Sequence, residues 1–313
     1  MRVPGTALGV GLCLPQLGEH VTVEALRHFC TRAEELGYTS LWVQDHFQYP
    51  VEPRRGYGGR DRAPIPTQYR SVLGPTELLA AVATWTTRAR LGTSVLVAGN
   101  HWPVPLAQRL STIDVLSGGR LLVGLGVGWN AEEHDASGTD IETRGRRMDD
   151  FVPALLACWG DDPVVYAGTE FTIPASYVRP KPVQRPRPPL LSGMWSPTGL
   201  ERTRLLFDAW NPGGLSVERV AATVAELNSR RPQHLAPLDV YHRAFAQYPL
   251  QPTPTGDVVE RLAEEAVAAS AANFNEFIIE HNFFDAIKSP DDWAQIPDRF
   301  AAVVAAVGRG PQT

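Results

Sequence analysis

Residues 121–135 read LLVGLGVGWNAEEHD, and the place of this stretch in the order of elements decides the fold. Gly126, Gly128 and Ala131 satisfy the G-x-G-x-x-[GA] spacing by which a strand-to-helix turn cradles a dinucleotide pyrophosphate. That reading requires the turn to follow the first strand of an open sheet, with an acidic residue closing the second strand about 20 positions later. Here three strand-helix units precede it: ALGVGLCLP with TVEALRHFCTRAEELG, SLWVQDH with GPTELLAAVATWT, and LGTSVLVAG with PLAQRLSTIDVLSGG. The acids at the right distance, Asp149 and Asp150, fall on the polar face of the next helix. The stretch is therefore a fourth strand, and the dinucleotide reading loses its context.

Working outward, RGRRMDDFVPALLACW presents Met148, Phe151, Val152, Leu155, Leu156 and Trp159 as one broad apolar face, the pattern of a helix packed on a core. Residues 160–189 break the rhythm with prolines and two short β-like pieces, VVYAG and EFTIP, and are expected to be an insertion. The alternation then resumes: PPLLSGM with SPTGLERT, DAWNPGG with SVERVAATVAEL, LDVYHRAF with DVVERLAEEAV, and NEFIIEHNF with a closing helix around DDWAQIPDRFAAVVAAV. Asp257 and Glu260 have the spacing of a capping box for the seventh helix. Eight such units with one insertion are the signature of an α/β fold of the (β/α)8 TIM barrel type, with an insertion after strand four, expected as one domain over residues 1–313.

Composition narrows the partners. The 313 residues carry a formal net charge of -5 and are 43% hydrophobic, which gives no general basic field for nucleic acid or an anionic membrane. No apolar run reaches the length of a membrane span. The N-terminus reads as a first strand rather than a signal peptide. Cys13, Cys30 and Cys158 are far apart and form no C-x-x-C, as expected of small buried hydrophobes in a reducing cytoplasm. The eight histidines show no paired ligand spacing, so no metal is expected.

Three stretches carry a resemblance: AEELGYTSLWVQDHF (33–47), TRARLGTSVLVAGNHWPVPLAQRLSTIDVLSGGRLLVGLGVGWNAEE (87–133) and PLLSGMWSPTGLERTRLLFDAWNP (189–212). In them the chain resembles the luciferase-like monooxygenase superfamily of flavin- and deazaflavin-dependent enzymes, across nearly its whole length. Asp45-His46 and the TSV of strand three resemble the branch that uses coenzyme F420. The resemblance implies a barrel with insertions, a cofactor ring across the strand ends, and a cofactor phosphate near the loops after strands four and five. It implies hydride transfer between F420 and a small organic substrate, with FMN as the alternative cofactor of a two-component monooxygenase. A non-catalytic flavin-binding barrel is the third reading. The expected partners are the small-molecule substrate, a second copy in a homodimer and, where FMN is used, a flavin reductase.

The candidate residues follow from position. His46 ends strand two and is the expected acid/base, since an imidazole of ordinary pKa gives or takes a proton near neutrality; Asp45 is expected to orient it or touch the ring. The structural alternative is that Asp45 caps the turn and His46 is a satisfied polar residue. Ser94 and Val95 lie where the resembled branch carries a bulge with a non-prolyl cis peptide behind the ring; a plain buried strand satisfies TSVLV equally well. Gly124, Gly126 and Gly128 lie on one side of strand four, admitting either a flat ring or a crowded neighbouring strand. Gly128, Trp129 and Asn130 lie nearer the mouth, as does Glu133, whose counterpart in the family often has a structural job. Gly193, Met194 and Ser196 precede a helix at Pro197, where Ser196 can cap the helix and the N-terminus can seat a phosphate. His101, Trp102 and Trp129 are expected to line the substrate pocket. Arg54, Arg55, Arg60, Arg62 and Arg70 sit in a long loop that either clamps an anionic tail or is simply solvated.

Overall fold

The computed structural model describes residues 7–61, 63–249, 251 and 256–308. Arg62 of the arginine-rich loop therefore lies outside the described residues. Eleven strands are present among the described residues: β1 Gly9–Cys13, β2 Ser40–Val43, β3 Arg90–Thr93, β4 Leu96–Val97, β5 Leu121–Gly126, β6 Val164–Ala167, β7 Thr172–Ser176, β8 Leu190–Ser192, β9 Ala209–Trp210, β10 Asp239–Phe245 and β11 Glu276–Glu280. The helices are α1 Val23–Glu35, α2 Pro75–Trp85, α3 Pro103–Ser117, α4 Ala131–Ala136, α5 Arg144–Trp159, α6 Pro197–Leu206, α7 Val217–Ser229, α8 Val258–Ala271, α9 Pro290–Arg299 and α10 Ala301–Gly308. Local chemistry starts and stops them. Pro75 opens α2, Gly118 ends α3 in the left-handed conformation, and Asp257 caps α8 by accepting from the Val259 and Glu260 amides.

Nine strands pair side by side in the order β3-β2-β1-β11-β10-β9-β8-β5-β4, every pairing is parallel, and β3 also pairs with β5. That last contact closes the sheet into an eight-stranded barrel, because β3 and β4 are two pieces of the third barrel strand. LLVGLG is β5, the fourth barrel strand. The hairpin of β6 and β7 lies within residues 160–189, the expected insertion.

The interior is divided in two. A large cluster packs the outward strand faces against the helices, with Phe29, Leu79, Leu110, Phe151, Leu155, Phe277 and Phe300 fully buried. A smaller cluster from the barrel strands, Cys13, Trp42, Leu122, Leu191, Ala209, Tyr241 and Ile278, fills the lumen. Trp42 is its plug: an added Cβ on Gly92 would meet the indole at 2.2 Å. Its Nε1 donates to Ser40 Oγ, which donates to Glu276 Oε1, each at 2.5 Å. The lumen is therefore closed below, and open chemistry is confined to the carboxyl ends of the strands.

Three local features differ from the pattern legible in the sequence. The third strand is broken, since from Gly92 to Leu96 it advances one residue more than its partner does from Leu122 to Leu125. The extra residue makes a bulge, and the Ser94–Val95 peptide within it is cis. The short helix α4 follows β5, capped by Asn130. The closing helix is two helices, α9 and α10, separated at Phe300.

The bulge explains the glycines of β5. An added Cβ on Gly124 would sit 2.0 Å from the Thr93 carbonyl oxygen, and one on Gly126 would sit 2.6 Å from Val95 Cγ2. These glycines make room for the bulged strand, so the crowded-strand alternative holds at Gly124. Backbone oxygen cannot swing aside as a side chain can. Gly124→Ala is therefore expected to destabilise the protein by about 1–3 kcal/mol, visible as a lower Tm; an unchanged Tm would refute this account of the bulge.

Candidate active site

The carboxyl ends of β2, β4, β5, β8 and β10 surround a cleft of about 500 Å³. Of the residues expected at the site, Asp45, His46, Ser94, Val95, Gly126, Gly128, Trp129, Gly193, Met194 and Ser196 border it. Tyr57, Tyr69, Arg55, Arg60, Arg144 and Arg243 join them.

His46 and Asp45 are adjacent in sequence but engage different partners. His46 Nδ1 lies 3.1 and 3.2 Å from the two carboxylate oxygens of Glu133. Glu133 is almost wholly buried, and its Oε1 also accepts from the Phe47 amide at 2.9 Å and the Gln48 amide at 3.4 Å. An ionised carboxylate on Nδ1 calls for the tautomer with its proton on Nδ1, leaving the Nε2 lone pair free. The His46 ring is enclosed by Tyr69 at 4.5 Å and Trp129 at 5.4 Å between centroids. Asp45 instead accepts from the Val97 amide at 2.9 Å and lies 2.7 Å from His101 Nε2, both through Oδ2. Glu133, rather than Asp45, therefore orients His46.

Three expected contacts take other roles. Asn130 is buried at the start of α4, where its side chain accepts from the Glu132 and Glu133 amides and donates to Gln48 O at 3.2 Å. It braces the loop that delivers Glu133 and does not border the cleft. His101 is held by Asp45, and Trp102 lies edge-on to Phe171 at 5.8 Å with Arg147 over its face; neither borders the cleft. Ser196 both borders the cleft and caps α6 by accepting from the Gly199 amide at 3.1 Å. Within the arginine loop, Arg54 pairs with Glu132 and Asp135, Arg55 pairs with Glu142, and Arg70 covers Tyr49. Arg60 and Arg144 border the cleft with no carboxylate partner among the described residues.

The opposite wall contains residues that the sequence did not single out. Arg243, from β10, forms a buried ion pair with Glu280 of β11 and donates from Nη1 to Ser94 O at 2.6 Å. Burial alone would push the Glu280 carboxyl up, but Arg243 beside it holds it below the usual range. Ser94 Oγ donates to Asn211 Oδ1 at 2.7 Å, so the bulge is pinned from β9 and β10 together. Burial also raises the Tyr57 phenol to about 12, which keeps it protonated and able to donate. Only the topology brings Arg243, Glu280 and Asn211 to Ser94; no local motif in the sequence marks them.

The residues fit a flavin or deazaflavin ring. Val95 supplies an apolar wall seated between Gly126 and Gly193, Trp129 supplies an aromatic flank, and Arg60 and Arg144 supply cationic donors for an anionic tail.

Comparison with known proteins agrees. The chain is 32% identical over 164 residues to an F420-dependent glucose-6-phosphate dehydrogenase of Kineococcus radiotolerans, covering 51% of this chain and 44% of that protein. It is 28% identical over 190 residues to an FMNH(2)-dependent dimethylsulfone monooxygenase of Pseudomonas putida, covering 59% and 49%. The chain thus spans about half the length of these curated relatives. An F420-dependent secondary alcohol dehydrogenase solved with an F420-acetone adduct shares the fold, with a TM-score of 0.70 at 16% identity, over 96% of this chain and 99% of that one. Residues 10–312 match the luciferase-like monooxygenase family. The protein is a member of the luciferase-like monooxygenase family, built on a (β/α)8 barrel.

Proposed function

We propose that the protein is an F420-dependent oxidoreductase acting on a small organic substrate, with His46 as the residue that moves the substrate's proton. The observation that carries this reading is the His46–Glu133 pair: an imidazole fixed through Nδ1 by a buried carboxylate, in the wall of a ring-sized cleft. Bound F420 supplies two-electron hydride chemistry at its C5. The chain's own part is to accept or donate the accompanying proton at His46 Nε2 and to hold that ring between Tyr69 and Trp129. The cationic rim of Arg60 and Arg144 suits a polyanionic tail that leaves the cleft. Similarity to an F420-dependent relative supports the same choice.

Similarity to the dimethylsulfone monooxygenase favours a second reading, in which reduced FMN arrives from a separate reductase. Titrating the purified protein with each cofactor separates the two. Saturable binding of F420 with weaker binding of FMN is the expected result; tight FMN binding with none of F420 would overturn the first reading.

Glu133 acts here as a positioning residue. Glu133→Gln keeps the shape but removes the charge that fixes the Nδ1 proton, and is expected to lower kcat on the order of 10²-fold. The F420 Kd should stay within about twofold, because the carboxylate faces His46 and the loop amides rather than the ring site. Equal losses in kcat and cofactor affinity would assign Glu133 a purely structural role.

A further inference from the structure

Next to the cleft, and sharing its Ser94–Val95 wall, lies a second chamber of about 270 Å³. Trp195, Leu215, Phe245 and Tyr248 supply its apolar surface, with Arg243 at the wall common to both cavities and Asn211 on the chamber's own side. Resting on the functional reading above, we propose that this annex holds the body of the substrate and selects neutral organic molecules that carry a carbonyl or hydroxyl oxygen.

The selection comes from charge. Arg243 is the inner of the two cations that line the annex, and it is already neutralised by Glu280, a fully buried carboxylate that also accepts from the Asn282 amide at 2.7 Å and the Asn282 side chain at 2.9 Å. The pair carries no net charge, yet Nη1 and Nη2 each carry a second N–H beyond those that meet Ser94 O and Glu280, while Nε is itself buried with no partner among the described residues. A neutral oxygen gains a hydrogen bond at such a wall. A carboxylate or phosphate gains the same bond but brings a charge that nothing in the annex compensates, and burying an uncompensated charge is costly. Arg60 also lines this chamber, but it is exposed and, on the functional reading above, serves the cofactor's anionic tail. The aromatic and aliphatic walls reward an apolar body. Phe245 and Tyr248 lie 4.9 Å apart and Arg243 sits 5.4 Å over Phe245, so this side of the chamber is a packed surface.

Gly213 provides the test. It is exposed, its φ is ordinary, and an added Cβ would lie 3.7 Å from Phe245 and 3.9 Å from Arg243, which is normal contact directed at the annex. Gly213→Phe therefore fills the chamber without straining the backbone, and Leu215→Trp fills it from a second position. Saturation-transfer NMR with cyclohexanone, cyclohexanol and cyclohexanecarboxylate reads binding directly, while F420 and FMN are titrated separately. The two neutral probes are expected to bind saturably and the carboxylate at least about tenfold more weakly. Either filling variant should weaken the neutral probes by about tenfold or more and leave the cofactor Kd within about twofold. Carboxylate binding as tight as that of cyclohexanone, or neutral binding untouched by both variants, would overturn the annex. If the neutral probes behave as expected but neither cofactor binds, the annex stands and the oxidoreductase reading falls.

Discussion

His46→Ala is expected to lower kcat by about 10²- to 10⁴-fold while leaving the F420 Kd within a few-fold. The asymmetry follows from position. His46 borders the cleft with Nδ1 tied to Glu133, whereas Val95, Trp129 and the arginine rim offer the surfaces to hold a ring and its tail. Removing the imidazole deletes the proton acceptor and leaves those surfaces standing. Steady-state kinetics beside a cofactor titration measures both quantities. A variant with wild-type kcat would move the acid/base role away from His46, and one with cofactor affinity and kcat lost together would make the residue part of the binding surface.

The protein should lose stability steeply on mild acidification. His242 and His281 are wholly buried in the seventh and eighth barrel-strand regions; each has one ring nitrogen against a backbone carbonyl, Leu215 O at 3.0 Å and Cys13 O at 2.6 Å. Their Nδ1 atoms have no partner among the described residues, and burial pulls both pKa values down to about 4. In the unfolded chain they return to about 6.5, so between pH 6.5 and 4 the unfolded state binds more protons. Stability is therefore complete above pH 6.5 and falls as pH drops toward 4, by at most about 3 kcal/mol for each histidine. Urea unfolding at pH 7.5 and pH 5.0 should show a clear drop in midpoint, and His281→Gln should flatten the dependence. Superimposable curves at the two pH values would show that neither imidazole stays neutral in the folded protein.

The barrel was legible in LLVGLGVG because hydrophobic periodicity is local: each strand and helix announces itself over about ten residues, and their order specifies the architecture. The break in LGTSVLVAG was not, since TSVLV satisfies an unbroken strand equally well. Only β5, whose glycines at 124 and 126 lie beneath Thr93 and Val95, reveals why the strand swells there. The site divides in the same way. His46 and Trp129 stand at strand ends, which the sequence locates. The pairing of His46 with Glu133, 87 residues away, and of Arg243 with Glu280 depends on how strand ends are arranged around a closed barrel. Asp45 and Asn130 illustrate the resulting ambiguity: a polar residue at a strand end can face the ligand or brace the loop beside it, and here Asp45 anchors the Val97 amide while Asn130 caps α4.

The seat of Val95 has an evolutionary corollary. Added Cβ atoms on Gly126 and Gly193 would lie 2.6 and 2.7 Å from its two methyl carbons, so three positions on three strands behave as one mutational unit. A lineage that reshapes the ring wall must shrink residue 95 before either glycine can enlarge, and the order of those steps makes some histories accessible and others closed.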